Sequence, residues 1–139
     1  MKQHQSEIII RPAGRGMTDI THEAQARVRE SGVETGMAHL FVRHTSCSLL
    51  IQENADPDVR GDLERFLSRL APDGDPIFRH VAEGPDDMPA HVRAALTAVS
   101  LSVPVRHGRL ALGTWQGIYL YEHRLHPSRR TVLVHVSGC

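Results

Sequence analysis

His39-Leu-Phe-Val-Arg-His-Thr-Ser-Cys-Ser-Leu-Leu-Ile-Gln-Glu-Asn-Ala-Asp-Pro57 is the stretch on which the reading of the chain turns. Period-2 alternation over Met37–Thr45 predicts a strand that puts Leu40, Val42 and His44 on one face. After the polar knuckle Thr45-Ser46-Cys47, a second strand over 48–53 places Leu49, Ile51 and Glu53 together. The two strands are expected to pair antiparallel. Asn54-Ala-Asp56-Pro57 then starts a helix, because Asp56 can accept orphan amide hydrogens and proline suits the first helical position. His44, Glu53 and Asn54 thus fall at the ends of apolar runs, where side chains can point into a pocket.

Outward from there, 3–11 reads as a strand that becomes buried at Ile8-Ile-Ile10, and 11–16 reads as a loop. A helix capped by Asp19 or Thr21 runs to about Glu30, with Ile20, Ala24 and Val28 on one face. On the helix after Pro57, Val59, Leu63, Phe66, Leu67 and Leu70 predict one buried stripe. The proline-rich segment 72–86 is a long loop holding His80, the kind of loop that is often functional. Asp86-Asp87 are expected to cap a further helix whose buried face is Val92, Ala95, Leu96 and Val99, with His91 at its edge. Strands at 101–105 and 109–113 flank the hairpin turn Arg106-His-Gly108. Two more follow at 118–125 and 131–136. The order β-α-β-β-α-α-β-β-β-β predicts a single α+β domain over 1–139: a mostly antiparallel β-sandwich with flanking helices.

A chain of 139 residues can bury roughly 68% of its unfolded surface without a disulfide or metal staple. Formal net charge is zero and no basic run occurs, which argues against nucleic-acid binding by bulk electrostatics. Cys47 and Cys139 have no metal-type spacing and suit a reduced compartment. No apolar h-region or membrane-length apolar window is present, so a soluble cytoplasmic protein is expected.

Ten histidines are many for this length. His44, His80 and His91 can converge from a strand end, a loop and a helix's first turn, and three neutral imidazoles with an open position make a Lewis-acid zinc site. The plainer reading is that each bonds locally. Glu53 and Asp87 can orient such imidazoles or simply cap helices. Gly113-Thr-Trp-Gln-Gly117 sets Trp115 between glycines, as a pocket wall for a flat heterocycle or as a core residue at a tight bend. Glu122 and Arg124 share a strand face; they can pair with each other, or Arg124 can clamp phosphate.

Three blocks carry a more specific signal. HTSCSLLIQENADPDVRGDLERF (44–66), EGPDDMPAHVRAAL (83–96) and SLSVPVRHGRLALGTWQGIYLYEHR (100–124) resemble the diagnostic blocks of the YjbQ-like family, and the match is continuous from about 36 to 125. The resemblance implies a homotrimeric α+β sandwich that joins hydroxymethylpyrimidine diphosphate to a thiazole phosphate, a thiamine-phosphate synthase activity releasing pyrophosphate. It implies site residues His44, Glu53, Asn54, His80, Asp87, His91, Trp115, Gln116, Glu122, His123 and Arg124, with His44, His80 and His91 as the metal ligands. Cys47 receives no role. The residues fit that transferase only in part: Arg124 and Trp115 suit a diphosphate and a developing cation. There is no glycine-rich phosphate loop, and histidines suit zinc better than the Mg²⁺ such chemistry uses. Three functions are therefore carried forward: the transferase, a hydrolase using a His-bound divalent metal, and a non-catalytic trimer that binds a small phosphorylated molecule.

Overall fold

Alternating burial along eight strands builds two antiparallel sheets. The computed structural model describes residues 1–139. In chain order the elements are β1 (Lys2–Ile10), β2 (Gly16–Asp19), α1 (Thr21–Ser31), β3 (Thr35–Val42), β4 (Cys47–Glu53), α2 (Pro57–Leu70), α3 (Asp87–Leu96), β5 (Ser100–Arg106), β6 (Arg109–Leu110), β7 (Gln116–Glu122) and β8 (Arg130–Gly138). One sheet has five strands in the order β1-β8-β3-β5-β6, and the other has three, β2-β7-β4. This is the α+β sandwich with flanking helices that the pattern predicts.

The sheets face each other because each strand offers one apolar side. Leu40, Val42, Val103, Val132 and Val134 of the larger sheet meet Leu49, Ile118 and Leu120 of the smaller, within a cluster of 19 buried apolar residues that also takes in Ala24 and Val28 of α1. Every residue of β7 after Gln116 is buried, on both faces. Its second face, Tyr119 and Tyr121, lies under α2, where Tyr119 Oη accepts from Arg60 and Tyr121 Oη donates to Glu64.

Several expectations need correction. β3 and β4 do not pair. β3 lies between β8 and β5, whereas β4 pairs with β7, so the knuckle at 43–46 carries the chain from one sheet to the other. The segment Gly16–Asp19, read as loop and cap, is instead an edge strand on β7. Helix α2 buries no residue: Phe66 is 58% and Leu70 55% exposed, although Asp56 caps it as expected, accepting from the Asp58 N–H at 2.9 Å. The contacts α2 makes with the rest of the chain are polar: Arg60 reaches Tyr119, Glu64 reaches Tyr121 and Arg93, and Ser68 reaches Arg93. On α3 the buried face is Asp87, Ala90, Arg93 and Ala94, one position off the predicted stripe. Arg93 turns inward to pair with Glu64 at 2.8 Å, while Leu96 and Val99 are exposed. The Arg106-His-Gly108 turn is a hairpin as expected, with φ of 53° at His107 and 72° at Gly108, the left-handed pair that a two-residue I′ turn requires.

Leu120 is fully buried between the sheets, so Leu120→Ala is expected to cost about 2–5 kcal/mol in urea unfolding. Phe66→Ala should change stability by no more than about 0.5 kcal/mol, as at ordinary surface sites. Equal costs at the two positions would show that the apolar face of α2 is packed after all.

Candidate functional site

The site begins at the C-terminal end of β7. Glu122 is fully buried, and its carboxylate takes two bonds from Arg130, one from Nε and one from Nη2, both at 2.6 Å. Burial works against the Arg130 charge, but its hydrogen bonds to Glu122 and the nearby negative charge outweigh it and keep the guanidinium above its ordinary pKa. Glu122 Oε2 also accepts the backbone N–H groups of His123 and Arg124, both at 3.1 Å. The chain leaving β7 is thereby held in one path. That path throws Arg124 across to the start of α3.

Arg124 spends each of its nitrogens there. Nε donates to Asp86 Oδ2 at 2.9 Å, Nη1 to Asp87 Oδ1 at 2.7 Å, and Nη2 to the Glu83 carbonyl at 2.9 Å. It neither pairs with Glu122 nor stands free as a phosphate clamp. Asp86, at the N-cap of α3, makes no side-chain cap bond because its carboxylate is taken by Arg124 and the Leu125 N–H.

With Oδ1 of Asp87 held, its Oδ2 meets two imidazoles: His80 Nε2 at 2.7 Å and His91 Nε2 at 3.1 Å. Asp87 and His91 sit at i and i+4 of one helix, and the loop before it brings in His80. The three donor atoms all lie within 4.8 Å of one another. Burial would raise the Asp87 carboxyl, but the His80 hydrogen bond, with His91 and Arg124 nearby, holds it below its ordinary value. His91 Nδ1 lies 2.9 Å from the Thr45 carbonyl oxygen, which only accepts, so Nδ1 carries the proton. In its neutral form the ring aims a lone pair at a carboxylate oxygen. Two acceptors in that position need a cation between them, whether a proton or a metal.

His44 is not in this group. Its Nε2 accepts the Thr131 N–H at 2.9 Å, and burial, then Arg130, lowers its pKa. The knuckle that moves the chain between sheets carries His44 to the start of β8, and Asp87 supplies the third donor in its place. The Asp87-x-x-x-His91 spacing was the available signal. His123 is fully buried, with Nε2 2.8 Å from Ser48 Oγ, and burial pushes its pKa down to about 3. It is a neutral interior group and does not reach the cluster. The buried Cys47 thiol is pushed up to about 12, which keeps it unreactive.

The remaining expected residues lie elsewhere. β4 and β7 run from the Cys47–Glu122 pair at one end to the Glu53–Gln116 pair at the other. At ~3.3 Å per residue those ends are about 20 Å apart. Glu53, Asn54, Trp115 and Gln116 belong to the far end. There Glu53 Oε2 accepts the Ala55 and Asp56 N–H groups, Asn54 Nδ2 donates to the Thr114 and Gln116 carbonyls, and Gln116 Oε1 accepts from Gly113. Gly117 is needed for closeness, since a Cβ there would meet the Tyr119 ring at 3.0 Å. Trp115 is not a core residue: it is 63% exposed. Within one chain these four do not join the histidines.

Two cavities are relevant. The larger, about 550 Å³, is a polar groove between the end of α1 and the β5–β6 hairpin, and none of the clustered donors lines it. A smaller one of about 280 Å³ has His80 in its wall. No helix is long and apolar enough to cross a membrane.

Glu122→Gln leaves the Arg130 charge buried without its counter-ion, and should cost about 3–5 kcal/mol in denaturant unfolding. The double change with Arg130→Met is expected to recover much of that loss. No recovery would mean that the pair matters for its shape rather than its charge.

The chain matches the family model described as UPF0047 protein YjbQ-like over residues 6–139. It is 53% identical over 137 residues to a UPF0047 protein of Synechocystis, covering 99% of this chain and 93% of the relative. To the UPF0047 protein YjbQ of Salmonella typhimurium it is 45% identical, over 97% of this chain and 98% of that one. Among solved structures, a YbjQ-like protein of unknown function from Sulfolobus solfataricus superposes with a TM-score of 0.90 at 25% identity, covering 99% of both chains. A YjbQ/UPF0047 protein from Clostridium acetobutylicum gives 0.88 at 36% identity, over 95% of this chain and 99% of that one.

Proposed function

The chain belongs to the YjbQ-like UPF0047 family, and from that footing we propose that it is a divalent-metal-dependent hydrolase of a small molecule. One observation carries the reading: His91 Nε2 and Asp87 Oδ2 face each other at 3.1 Å with His91 Nδ1 already committed to the Thr45 carbonyl. His80, Asp87 and His91 fit a metal as a two-imidazole, one-carboxylate set, which favours zinc or a similar transition metal over Mg²⁺. A divalent ion held there supplies Lewis acidity and a bound water acidic enough to act near neutral pH.

The protein's part is to bind and orient. Thr45 fixes the tautomer of His91, and Arg124 holds Oδ1 of Asp87 so that Oδ2 is the oxygen presented. Hydrolysis then needs only that the water oxygen bond to the electrophilic atom while the leaving group departs with a proton. The thiamine-phosphate synthase reading is less well supported, because Arg124, the expected diphosphate clamp, is occupied by Asp86, Asp87 and Glu83. A small phosphorylated substrate would have to rest its phosphate on the ion. Assembly as a homotrimer is part of the proposal; exposed Trp115, Leu96 and Phe66 give it apolar surface to cover.

Protein dialysed against zinc is expected to hold one ion per chain. Asp87→Asn, His80→Ala and His91→Ala should each weaken zinc affinity by about 10- to 100-fold or more, while His44→Ala leaves it unchanged. Affinity should also fade as pH falls below roughly 6, because protons compete for imidazole ligands. Retention of zinc by Asp87→Asn, or its loss in His44→Ala, contradicts the assignment.

A further inference from the structure

We propose that the cavity beneath the 72–86 loop is the subsite for a small apolar group of the substrate, a ring or short alkyl chain attached to the group that the metal centre engages. This rests on the metal-centre reading above.

The loop is built as a closed structure. Its ends meet where the Gly74 N–H donates to the Pro85 carbonyl at 3.0 Å, and internal turns join Phe78 to Asp75 and Gly84 to Val81. Two arginines from the sheet side tie it down: Arg15 to Asp73 at 2.8 Å, and Arg124 to the Glu83 carbonyl at 2.9 Å. Compact loops whose ends close in this way are frequently functional.

Inside it lies the space of about 280 Å³, walled by Pro76, Phe78, Val81, Pro85 and Met88 together with His80. Asp75, the acidic residue of the wall, has Oδ1 occupied by the Ile77 N–H at 3.0 Å. The wall is thus mainly apolar, with the Asp75 carboxylate and one imidazole as its polar side chains, and that imidazole is a member of the donor cluster. His80 is shared between the two, so the cavity adjoins the donor cluster and can take a group attached to the metal-bound atom. The volume is below the usual range for drug-sized ligands, which limits the occupant to a small group. Specificity would then come from this loop and chemistry from the start of α3.

Hydroxamates separate the two parts, because their chelating end binds a metal whatever they carry beyond it. Zinc-loaded protein is titrated calorimetrically with acetohydroxamate and benzohydroxamate. Benzohydroxamate should bind at least about tenfold more tightly, the scale on which apolar pockets discriminate. Phe78→Ala and Val81→Asp should each abolish that preference while acetohydroxamate affinity and zinc content stay as in the parent; Val81 is 62% exposed, so its variant is not expected to unfold the loop. Equal affinity for the two hydroxamates in the parent overturns the subsite and leaves the metal centre standing. A preference that survives both variants places the apolar site elsewhere. Failure of both hydroxamates, with no zinc retained, removes the metal centre and the subsite together.

Discussion

The buried pair of Glu122 and Arg130 is the contact from which the candidate site is built. Taking two charges out of water costs several kcal/mol per ion, and only near-ideal geometry offsets it. Here both hydrogen bonds are 2.6 Å long, and Arg130 Nη2 adds a bond to Ser46 Oγ at 2.9 Å. The same carboxylate holds the His123 and Arg124 amides, so the pair joins β7, the knuckle before β4 and the start of β8. Arg124 follows from that path, Asp87 from Arg124, and the direction of Oδ2 from Asp87. The site's geometry is inherited from the sheet rather than from the loop that carries His80.

Much of this architecture was legible in the residues. Alternation and turn chemistry located every long strand, Asp56-Pro57 marked the α2 start, and the three motif blocks pointed to the family. What periodicity does not contain is partner choice: β3 and β4 look like a hairpin locally, yet each finds its partners in a different sheet. The α3 stripe was misplaced for a related reason. Apolar spacing favours Leu96 and Val99, but the inward face of α3 also holds Arg93, paired with Glu64, and lies one position off that stripe.

The site was legible in its members but not in their grouping. His80, Asp87, His91 and Arg124 were all among the expected residues, and the structure brings these four together. His44 drops out because its lone pair goes to the Thr131 amide, a bond no spacing rule anticipates. Glu53, Asn54, Trp115 and Gln116 drop out through the length of the β4–β7 ladder, which keeps its two ends apart. Arg130 had no signal at all, since it stands in an unpatterned approach to the last strand. Neither did the Thr45 carbonyl, a backbone group whose role appears only when His91 lies against it.

The central claim is that His80, Asp87 and His91 hold one divalent ion. Anomalous diffraction at the zinc edge, from crystals of protein loaded with one equivalent of zinc, tests it most directly. The account expects a single strong peak about 2.0–2.1 Å from His80 Nε2, His91 Nε2 and Asp87 Oδ2. A peak on His44 or elsewhere, or none with His91 still within hydrogen-bond distance of Asp87, would contradict it.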